Sequence, residues 1–279
     1  MSYFDDVYCG LCKDILENGV QVHNRTGIDT IKIPSAHFHL DLTKQLFIRQ
    51  AVTEMLWIYQ AQSNDVRWLQ ERNVHIWDKW EINEDGDWID ENTGNVLKHF
   101  DPSFAHTIGT AYGYIVKKYD LMNKLLNSLK NDKEDRRRVI SLWQDSELDT
   151  AVLPSCVWSS EWDVTDGKLN IWVHQRSCDV PLGLPFNVTQ YAVLLMMVAQ
   201  VTGLKPGTID WSIKDAHIYV NQVDGIKEQL NRYETKGSLP APELWLNPDI
   251  TDFYDFDPTK DVKLNGYEHM GKISFPLAQ

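Results

Sequence analysis

The strongest local constraint on the fold is a pair of alternating segments in the middle of the chain. The stretch "CVWSSEWDVTDGKLNIWVHQRS" spans residues 156–177 and carries Asp166-Gly167 at its centre. Apolar and polar residues alternate on both sides of this dipeptide, which is the pattern of two strands joined by a tight turn. The sequence therefore predicts a β-hairpin here.

Helical and extended segments are interleaved along the rest of the chain. Apolar residues at helical spacing predict helices at 3–18, 47–62, 120–131, 188–203 and 225–234. Alternating or apolar runs predict extended segments at 30–42, 136–143 and 208–220. No repeat or low-complexity linker divides the chain, so we expect a single α+β domain over residues 1–279.

Composition narrows the classes of protein that this chain can belong to. The net charge of −13 disfavours nonspecific binding to nucleic acid or to an acidic membrane surface. There is no uninterrupted run of 18 apolar residues, and the start "MSYFDDVYCGLCKDIL" carries acids where a signal peptide carries basic residues. We expect a cytoplasmic protein without a membrane span.

Two motifs resemble metal or redox sites but fit them poorly. Cys9 and Cys12 form a close pair inside a predicted helix, and no second cysteine pair follows in the sequence. Two thiols on one helical face are therefore favoured over a redox or zinc site. The acidic stretch at 80–104 lacks the aspartate and glutamate that a calcium loop needs at its ends. A surface hairpin turning at Asp85-Gly86 is favoured there, and no metal is expected.

Cys156 follows a proline and a serine in "AVLPSCVWSSEWDV" and has no adjacent histidine. Taken alone it is either a nucleophile or a small apolar residue in the core. Three arginine-bearing segments stand out, at 24–27, at 134–139 and at 174–179. Arg176 occupies an otherwise apolar predicted strand, where a guanidinium is costly without an anionic partner. The arginines therefore favour a pocket for an anionic ligand.

Other polar residues stand in positions that suit ligand binding. Glu54 lies among apolar residues on a predicted helix, a setting that raises the pKa of a carboxyl group. Asn187 precedes an apolar helix and is either an N-cap or an amide that pairs with a pyrimidine edge. His217 and Tyr219 share one face of a predicted strand and suit a sugar hydroxyl.

Together these stretches resemble the thymidylate synthase and pyrimidine hydroxymethylase superfamily. The resemblance runs from Arg25 to about residue 256, and its most specific block is 175–187. It is carried by "RTG", "EMLWIYQAQSN", "VHIWDKW", "LPSC", "QRSCDVPLGLPFN" and "DAHIY". It implies an α+β fold, a single domain with a large twisted mixed β-sheet at a homodimer interface, packed with helices.

The resemblance to thymidylate synthase also implies a reaction. That reaction is reductive methylation of dUMP to dTMP, with 5,10-methylenetetrahydrofolate as the co-substrate that supplies the carbon and the hydride. The implied catalytic residues are Cys156 as the nucleophile toward C6 of uracil, Glu54, Tyr112 and Asp179. Arg176 is then expected to hold the phosphate and to favour the thiolate of Cys156.

The same resemblance assigns the binding residues. Those implied for dUMP are Arg25, Arg136, Arg137, Gln175, Arg176, Ser177, Asn187, His217 and Tyr219, with Arg136 and Arg137 donated across the dimer interface. Those implied for the folate are Lys44, Trp77, Trp80, Asp179 and Gly183. The final residues are expected to close over the bound ligands and exclude water.

The chain departs from the family pattern in four places. Val157 stands where the family usually has histidine, and the segment from Leu40 to Lys44 is shorter than usual. Residues 83–105 resemble an insertion found in longer members, which we expect at the surface. The chain ends "FPLAQ", so Gln279 replaces the usual terminal residue.

Three other functions compete with this interpretation. A dUMP hydroxymethylase would use the same cysteine addition and would add water in place of hydride. A non-catalytic relative would bind a nucleotide or RNA without needing a thiolate. A cysteine hydrolase would need His174 or His217 oriented toward Cys156.

Overall fold

The computed structural model describes residues 3–24, 26–41, 49–91 and 93–277. Its helices are α1 (Tyr3–Asn18), α2 (Arg49–Tyr59), α3 (Arg67–Gln70), α4 (Gly113–Lys118), α5 (Leu121–Asn131), α6 (Gly183–Val201) and α7 (Val223–Lys236). Its strands are β1 (Val20–Val22), β2 (Thr30–Asp41), β3 (Asp87–Ile89), β4 (Val96–His99), β5 (Val139–Ser141), β6 (Val157–Thr165), β7 (Lys168–Gln175), β8 (Cys178–Asp179), β9 (Lys205–Tyr219), β10 (Glu243–Leu246) and β11 (Val262–Asn265).

A mixed sheet organises the molecule. Its strand order is β1-β2-β9-β7-β6-β5, and β8 pairs separately with β9. Strands β7 and β8 run parallel to β9, whereas the other neighbours are antiparallel. The predicted α+β class and mixed sheet are confirmed.

The predicted hairpin at 156–177 is confirmed as β6 and β7, with Thr165 paired to Lys168. Asp166 and Gly167 both have positive φ angles, of 50° and 72°. Positive φ at both central residues is the signature of a type I′ turn, whose twist matches that of the flanking strands.

Helix α6 lies between the sheet and α2. Tyr191 packs edge-on against Trp211 of the sheet, with ring centroids 5.6 Å apart. Its hydroxyl forms a buried 2.7 Å hydrogen bond with Tyr59 on α2. Of the described helices, α6 alone is long and apolar enough to cross a membrane by composition, but most of it is buried among these layers. This is the packing of a core helix.

The start of α6 differs from the sequence prediction. The helix begins at Gly183, not near residue 188, and Leu182 occupies its N-cap position. Asn187 therefore lies within the helix, and its interpretation as an N-cap is wrong. The Gly-Leu-Pro start misled the prediction, although proline is well tolerated in the first turn of a helix.

The acidic region at 80–104 contains a hairpin, but its turn is elsewhere. Strand β3 ends at Ile89 and pairs antiparallel with β4, which begins at Val96, so the prediction that the hairpin turns at Asp85-Gly86 is wrong. That dipeptide instead forms a separate tight turn before β3. The Asn83 side chain accepts hydrogen bonds from the Asp85 and Asp87 amides there, and Gly86 has a φ of 85°.

A strained junction precedes α4. Tyr112 has φ 47° and ψ −106°, a conformation that costs a non-glycine residue roughly 1–3 kcal/mol. The next residue, Gly113, lies against the backbone of Ser63, where an added Cβ would be 2.0 Å from the carbonyl oxygen. This close approach fixes the position of Tyr112.

We expect Gly113→Ala to destabilise the protein by about 2–4 kcal/mol, because the new methyl group would collide with the backbone and not with a movable side chain. Denaturant unfolding followed by circular dichroism measures the change. Gly10→Ala is the control, because no atom lies within 4 Å of its added Cβ in α1. That variant should be neutral or up to about 1 kcal/mol more stable. Equal stability of the two variants would contradict the packing at Ser63.

Candidate active site

Pairing of β6 with β7 brings Cys156 and Arg176 together. Val157 is registered opposite Gln175, so the residues that flank this pair meet at the end of the hairpin. The Arg176 amide donates to the Cys156 carbonyl at 2.8 Å, and its Nη2 lies 3.7 Å from Cys156 Sγ. Cys156 is half-buried, so its thiol lies beside a guanidinium and is still accessible. This is the setting of a reactive cysteine.

The Arg176 guanidinium also holds the loop before Cys156. Its Nε donates to the Ser155 carbonyl at 3.1 Å, and its Nη2 donates to the Pro154 carbonyl at 2.7 Å. Among the residues that the structure describes, no acceptor is found for Nη1. A guanidinium has five N–H donors, so this one fixes the loop and retains donors for an anion.

Tyr112 also contacts Cys156. Its hydroxyl oxygen accepts a 3.0 Å hydrogen bond from the Cys156 amide. Burial raises the pKa of Tyr112 well above its usual range, so the phenol is neutral at physiological pH. Its own O–H therefore remains available as a donor. The strained backbone at Tyr112 thus places a neutral hydroxyl group next to the thiol.

Glu54 is a buried carboxyl group with two strong donors. The Trp77 indole donates to Oε1 at 2.5 Å, and Gln190 Nε2 donates to Oε2 at 2.6 Å. Burial raises the pKa of Glu54 to about 7, although both hydrogen bonds lower it. A carboxyl group poised near neutral pH is suited to donate and accept protons.

A one-way chain of hydrogen bonds leads to Glu54 from the sheet. Trp211 Nε1 donates to Gln175 Oε1 at 3.1 Å, and Gln175 Nε2 donates to Asn187 Oδ1 at 3.1 Å. Asn187 Nδ2 then donates to Gln190 Oε1 at 3.2 Å, and Gln190 Nε2 donates to Glu54. The indole can only donate, so it sets the orientation of every amide that follows.

This chain of hydrogen bonds determines which donor and acceptor of the Asn187 amide stay available. A primary amide offers two hydrogens and two lone pairs, and the two glutamines occupy one of each. One donor and one acceptor remain. A uracil ring presents the complement, an N3–H donor beside an O4 acceptor.

His217 and Tyr219 meet on one face of β9, as the sequence predicted. Their rings are perpendicular, with centroids 5.2 Å apart. His217 Nδ1 lies 3.1 Å from the Asp215 carbonyl oxygen, so donation there leaves Nε2 as an acceptor. His217 and Lys32 lower the pKa of Asp215 to about 2, which keeps its carboxylate charged beside this pair.

Asp179 lies beside His217 because β8 pairs with β9 at this point. Burial raises the pKa of Asp179, and a 3.1 Å hydrogen bond from Gln222 opposes that shift.

Gly183 lies next to Asn187, since a Cβ added there would be 3.6 Å from Asn187 Oδ1. The Ser177 carbonyl accepts from Gln175 at 3.1 Å.

The remaining predicted residues differ in their relation to the site. Trp80 packs edge-on against Trp77, with ring centroids 5.5 Å apart. Arg136 and Arg137 are exposed before β5, and Arg137 pairs with Asp135 at 2.9 Å. The predictions for Arg25, Lys44 and Gln279 fall outside the described residues.

Comparison with known proteins identifies the family. The family model for thymidylate synthase matches residues 6–279. The chain belongs to the thymidylate synthase family. It is 47% identical to the thymidylate synthase of Clostridium beijerinckii and 38% identical to thymidylate synthase 1 of Bacillus subtilis, over all of both chains in each case. A solved structure of thermostable thymidylate synthase A from Bacillus subtilis superimposes with a TM-score of 0.83 at 36% identity, covering 99% of each chain.

Family membership confirms the resemblance drawn from the sequence. The chain is a methyltransferase, and the family's general reaction is the methylation of dUMP to dTMP. The arrangement of Cys156, Arg176 and Asn187 is therefore that of a candidate thymidylate synthase site.

Three residues of the site were not predicted from the sequence. They are Gln190, Trp211 and Gln222. Spacing offered a signal for two of them, because Gln190 follows Asn187 by three residues on a helix and Gln222 follows Tyr219 by three. No local signal pointed to Trp211, which reaches the site through the fold.

We expect Trp77→Phe to move the pH dependence of kcat. The substitution keeps an aromatic ring and removes the donor to Glu54 Oε1, so the carboxylate is less stabilised and the pKa of Glu54 rises above about 7. The limb of the profile that Glu54 controls should shift to higher pH by about one unit.

Trp57→Phe is the matched control for this shift. It removes an indole hydrogen bond to the Asp65 carbonyl and touches no acceptor on Glu54. This variant should lose stability and keep the wild-type pH limb. A shift of the same size in both variants would contradict the role given to Trp77.

Proposed function

We propose that this enzyme converts dUMP to dTMP by reductive methylation, with a transient bond between Cys156 Sγ and C6 of uracil. 5,10-Methylenetetrahydrofolate would supply both the carbon and the hydride and would leave as dihydrofolate. The observation that supports this most directly is the accessible thiol of Cys156 beside the Arg176 guanidinium, at 3.7 Å. Tyr112, which accepts a hydrogen bond from the Cys156 amide, packs against Trp77, and the Trp77 indole donates to Glu54.

Cys156 would begin the reaction. The thiolate adds to C6, and the electron pair of the C5–C6 double bond moves toward O4 and makes C5 nucleophilic. The Arg176 guanidinium favours the thiolate and offers its remaining donors to the nucleotide phosphate. Once the folate methylene carbon is bonded to C5, loss of the C5 proton would break the bond between that carbon and the folate nitrogen and leave an exocyclic methylene group. Hydride from the resulting tetrahydrofolate would reduce this group to methyl as the Cys156 thiolate leaves C6, and the folate would depart as dihydrofolate.

Asn187 would select uracil. Its free donor points to O4 and its free acceptor to N3–H, because the glutamines on either side fix the amide orientation. Cytosine presents an amino group and an unprotonated N3, which would place donor against donor and acceptor against acceptor. We therefore propose dUMP, and not dCMP, as the nucleotide.

Glu54 and Tyr112 would manage the protons. With a pKa of about 7, Glu54 exists in both protonation states near neutral pH and can stabilise developing charge on O4 through bound water. Tyr112 is neutral and adjacent to Cys156, so its hydroxyl can assist removal of the C5 proton.

The folate would lie over the nucleotide, against Trp77, Trp80 and Gly183, with Asp179 toward the pterin. Trp80 packs edge-on against the buried Trp77 and is itself partly exposed, so its face can pack against a flat ring. Asp179 provides a carboxylate that can accept from the amide and amino hydrogens of a pterin. The residue types present therefore fit this co-substrate.

We further propose that the protein is a homodimer joined through the outer face of the sheet. Trp158 and Trp172 are 38% and 47% exposed on this face, and both pack against His174. A sheet face with exposed tryptophans is a typical association surface, and a twofold axis would pair it with itself. Arg136 and Arg137 would then reach the phosphate site of the partner subunit.

We place this enzyme in the cytoplasm as one catalytic domain over residues 1–279, with 83–105 as a surface insertion. All four cysteines are free thiols, which suits a reducing compartment. The negative net charge disfavours binding to nucleic acid.

Incubation with 5-fluoro-dUMP and the folate should attach both ligands to Cys156. Fluorine replaces the proton that must leave C5, so the adduct cannot break down and appears in an intact-mass spectrum. Cys156→Ser should give no adduct, and Cys9→Ser should give the full adduct because Cys9 is buried in α1.

With dUMP itself, absorbance of dihydrofolate should rise as dTMP forms. Release of tetrahydrofolate with hydroxymethyl-dUMP would contradict reductive methylation and indicate hydroxymethylation. Binding without turnover or adduct would indicate a non-catalytic relative.

Mixing two inactive variants tests whether the sites are shared. Cys156→Ser and Arg136→Glu remove different halves of a site, so a mixed dimer contains one intact site. Random exchange of equal amounts should restore about a quarter of wild-type activity, since half of the dimers are mixed and each has one working site. Mixing Cys156→Ser with Asn187→Ala is the control, because both changes fall within one subunit's share of the site. Activity that stays at baseline in the first mixture would refute donation of Arg136.

A further inference from the structure

The hairpin formed by β3 and β4 packs on the rest of the protein through a small apolar cluster, separate from the main core. The buried members of this cluster are Ile82, Phe100 and Val152, and Trp80, Trp88, Phe104 and Leu153 pack against them. Trp80 is proposed to meet the folate, and Leu153 lies three residues before Cys156. The cluster therefore joins the hairpin to two walls of the proposed active site.

One face of the β3–β4 hairpin is turned toward these walls. The two strands form a separate two-stranded sheet, which is barely stable alone in water and depends on its contacts with the rest of the protein. Trp88 and Lys98 are opposite each other in the register, and cross-strand partners lie on the same face. Lys98 is half-buried between the exposed Leu97 and His99, so its face is the one that packs inward.

Trp88 holds the wall that contains Trp80. Its indole Nε1 donates to the Lys79 carbonyl at 2.9 Å. Lys79 and Trp80 are the last residues of a 3₁₀ turn, Asp78–Trp80, so this hydrogen bond fixes the backbone that carries the Trp80 ring. Trp80 and Trp88 also pack in the same apolar cluster. The hairpin thus sets the place of the Trp80 ring at the proposed folate site.

Lys98 holds the loop that leads to Cys156. Its Nζ donates to the Asp149 carbonyl at 2.6 Å and to the Ala151 carbonyl at 3.4 Å. At the other end of the loop, Arg176 donates to the two carbonyls just before Cys156. The loop is therefore held at both ends by cations that donate to its backbone, and hydrogen bonds from charged donors are the stronger kind.

We propose that the β3–β4 hairpin is a clamp on the active site, in which Trp88 positions the Trp80 wall and Lys98 positions the loop that carries the nucleophile. The proposal rests on the proposed function, because it takes Trp80 as a folate contact and Cys156 as the nucleophile. Both hairpin residues act through backbone carbonyls, so they are positioning residues. Because they hold different walls, their effects on the kinetics are separable.

Trp88→Phe should raise the KM for the folate roughly fivefold, the usual effect of losing one neutral hydrogen bond, and should leave kcat and the KM for dUMP close to wild type. The substitution keeps an aromatic ring in the cluster and removes the donor to the Lys79 carbonyl. The loop before Cys156 keeps both of its cations. Steady-state kinetics with the other ligand saturating measure each KM.

Lys98→Met should lower kcat, and the rate of adduct formation with 5-fluoro-dUMP and the folate, roughly tenfold, because a small displacement of the nucleophile is costly. Methionine keeps an unbranched apolar stem and removes the ammonium group that donates to the loop. The KM for the folate should change less than in Trp88→Phe. Lys98→Arg retains N–H donors and should recover most of the lost rate.

His99→Gln is the matched control. His99 is paired with Asp87 across the same hairpin, one position along from Trp88 and Lys98, so this pair lies on the opposite face. Its Nδ1 lies 2.7 Å from Asp87 Oδ1, and its side chain is exposed. The variant loses a contact within the hairpin and none with either wall, so kcat and both KM values should match the wild type.

Hydrogen–deuterium exchange followed by mass spectrometry measures the two contacts without any ligand or activity. The Ile82 amide donates to the Thr107 carbonyl, and the Val152 amide donates to the Ile108 carbonyl. Exchange in 79–82 should become faster in Trp88→Phe, and exchange in 149–152 should become faster in Lys98→Met, because the local opening of each wall costs less. His99→Gln should leave both segments at the wild-type rate.

The two variants test different contacts, so one that fails to fold leaves the other decisive. Unchanged exchange in both segments would overturn the clamp, and so would faster exchange with wild-type kinetics. Equal kinetic losses in His99→Gln would show general loosening of the hairpin and would overturn the two separate roles. Absence of dTMP formation in the wild type would overturn the proposed function instead, and exchange would still decide whether the hairpin holds the two walls.

Discussion

The chemistry of this site depends on one buried carboxyl group and the directional chain of donors that ends on it. Glu54 is removed from water, so its charge is stabilised mainly by the Trp77 indole and by Gln190. Each amide between Trp211 and Glu54 in this chain of hydrogen bonds must donate toward Glu54, because the Trp211 indole N–H can only donate. Burial raises the pKa of Glu54 to about 7 against these two donors, and the same directional chain fixes which edge Asn187 presents. Proton transfer and nucleotide selection are therefore two consequences of one network.

The layered fold makes this network possible. The carboxyl comes from α2, the amides come from α6 and β7, and the indole at the start comes from β9, so three layers contribute to one line of hydrogen bonds. The tyrosine pair Tyr59 and Tyr191 fixes the spacing between α2 and α6 at the same level. On the other side, the β6–β7 hairpin sets Cys156 against Arg176. Backbone strain at Tyr112 is tolerated because the surrounding packing over-determines that residue.

Much of the architecture could be predicted because it is encoded locally. The hairpin at Asp166-Gly167 and the pairing of His217 with Tyr219 follow from period-two alternation and turn chemistry. Local reasoning went wrong where two local signals competed. The proline near the start of α6 delayed its predicted beginning, so Asn187 was taken as an N-cap candidate when it is an interior residue. In the acidic region at 80–104, Asp85-Gly86 resembled a hairpin turn but forms a separate tight turn before β3.

The sequence by itself determined which chemical groups are present: a thiol, an amide, a carboxyl group among apolar residues, and several guanidinium groups. It also determined the family, whose model matches residues 6–279. Only the tertiary structure decided the direction of each hydrogen bond and the partners of Gln190 and Gln222. The physical reason is that an amide can donate or accept in any direction until its neighbours are in place. Those neighbours come from elements that are distant in the chain, so no local pattern records them.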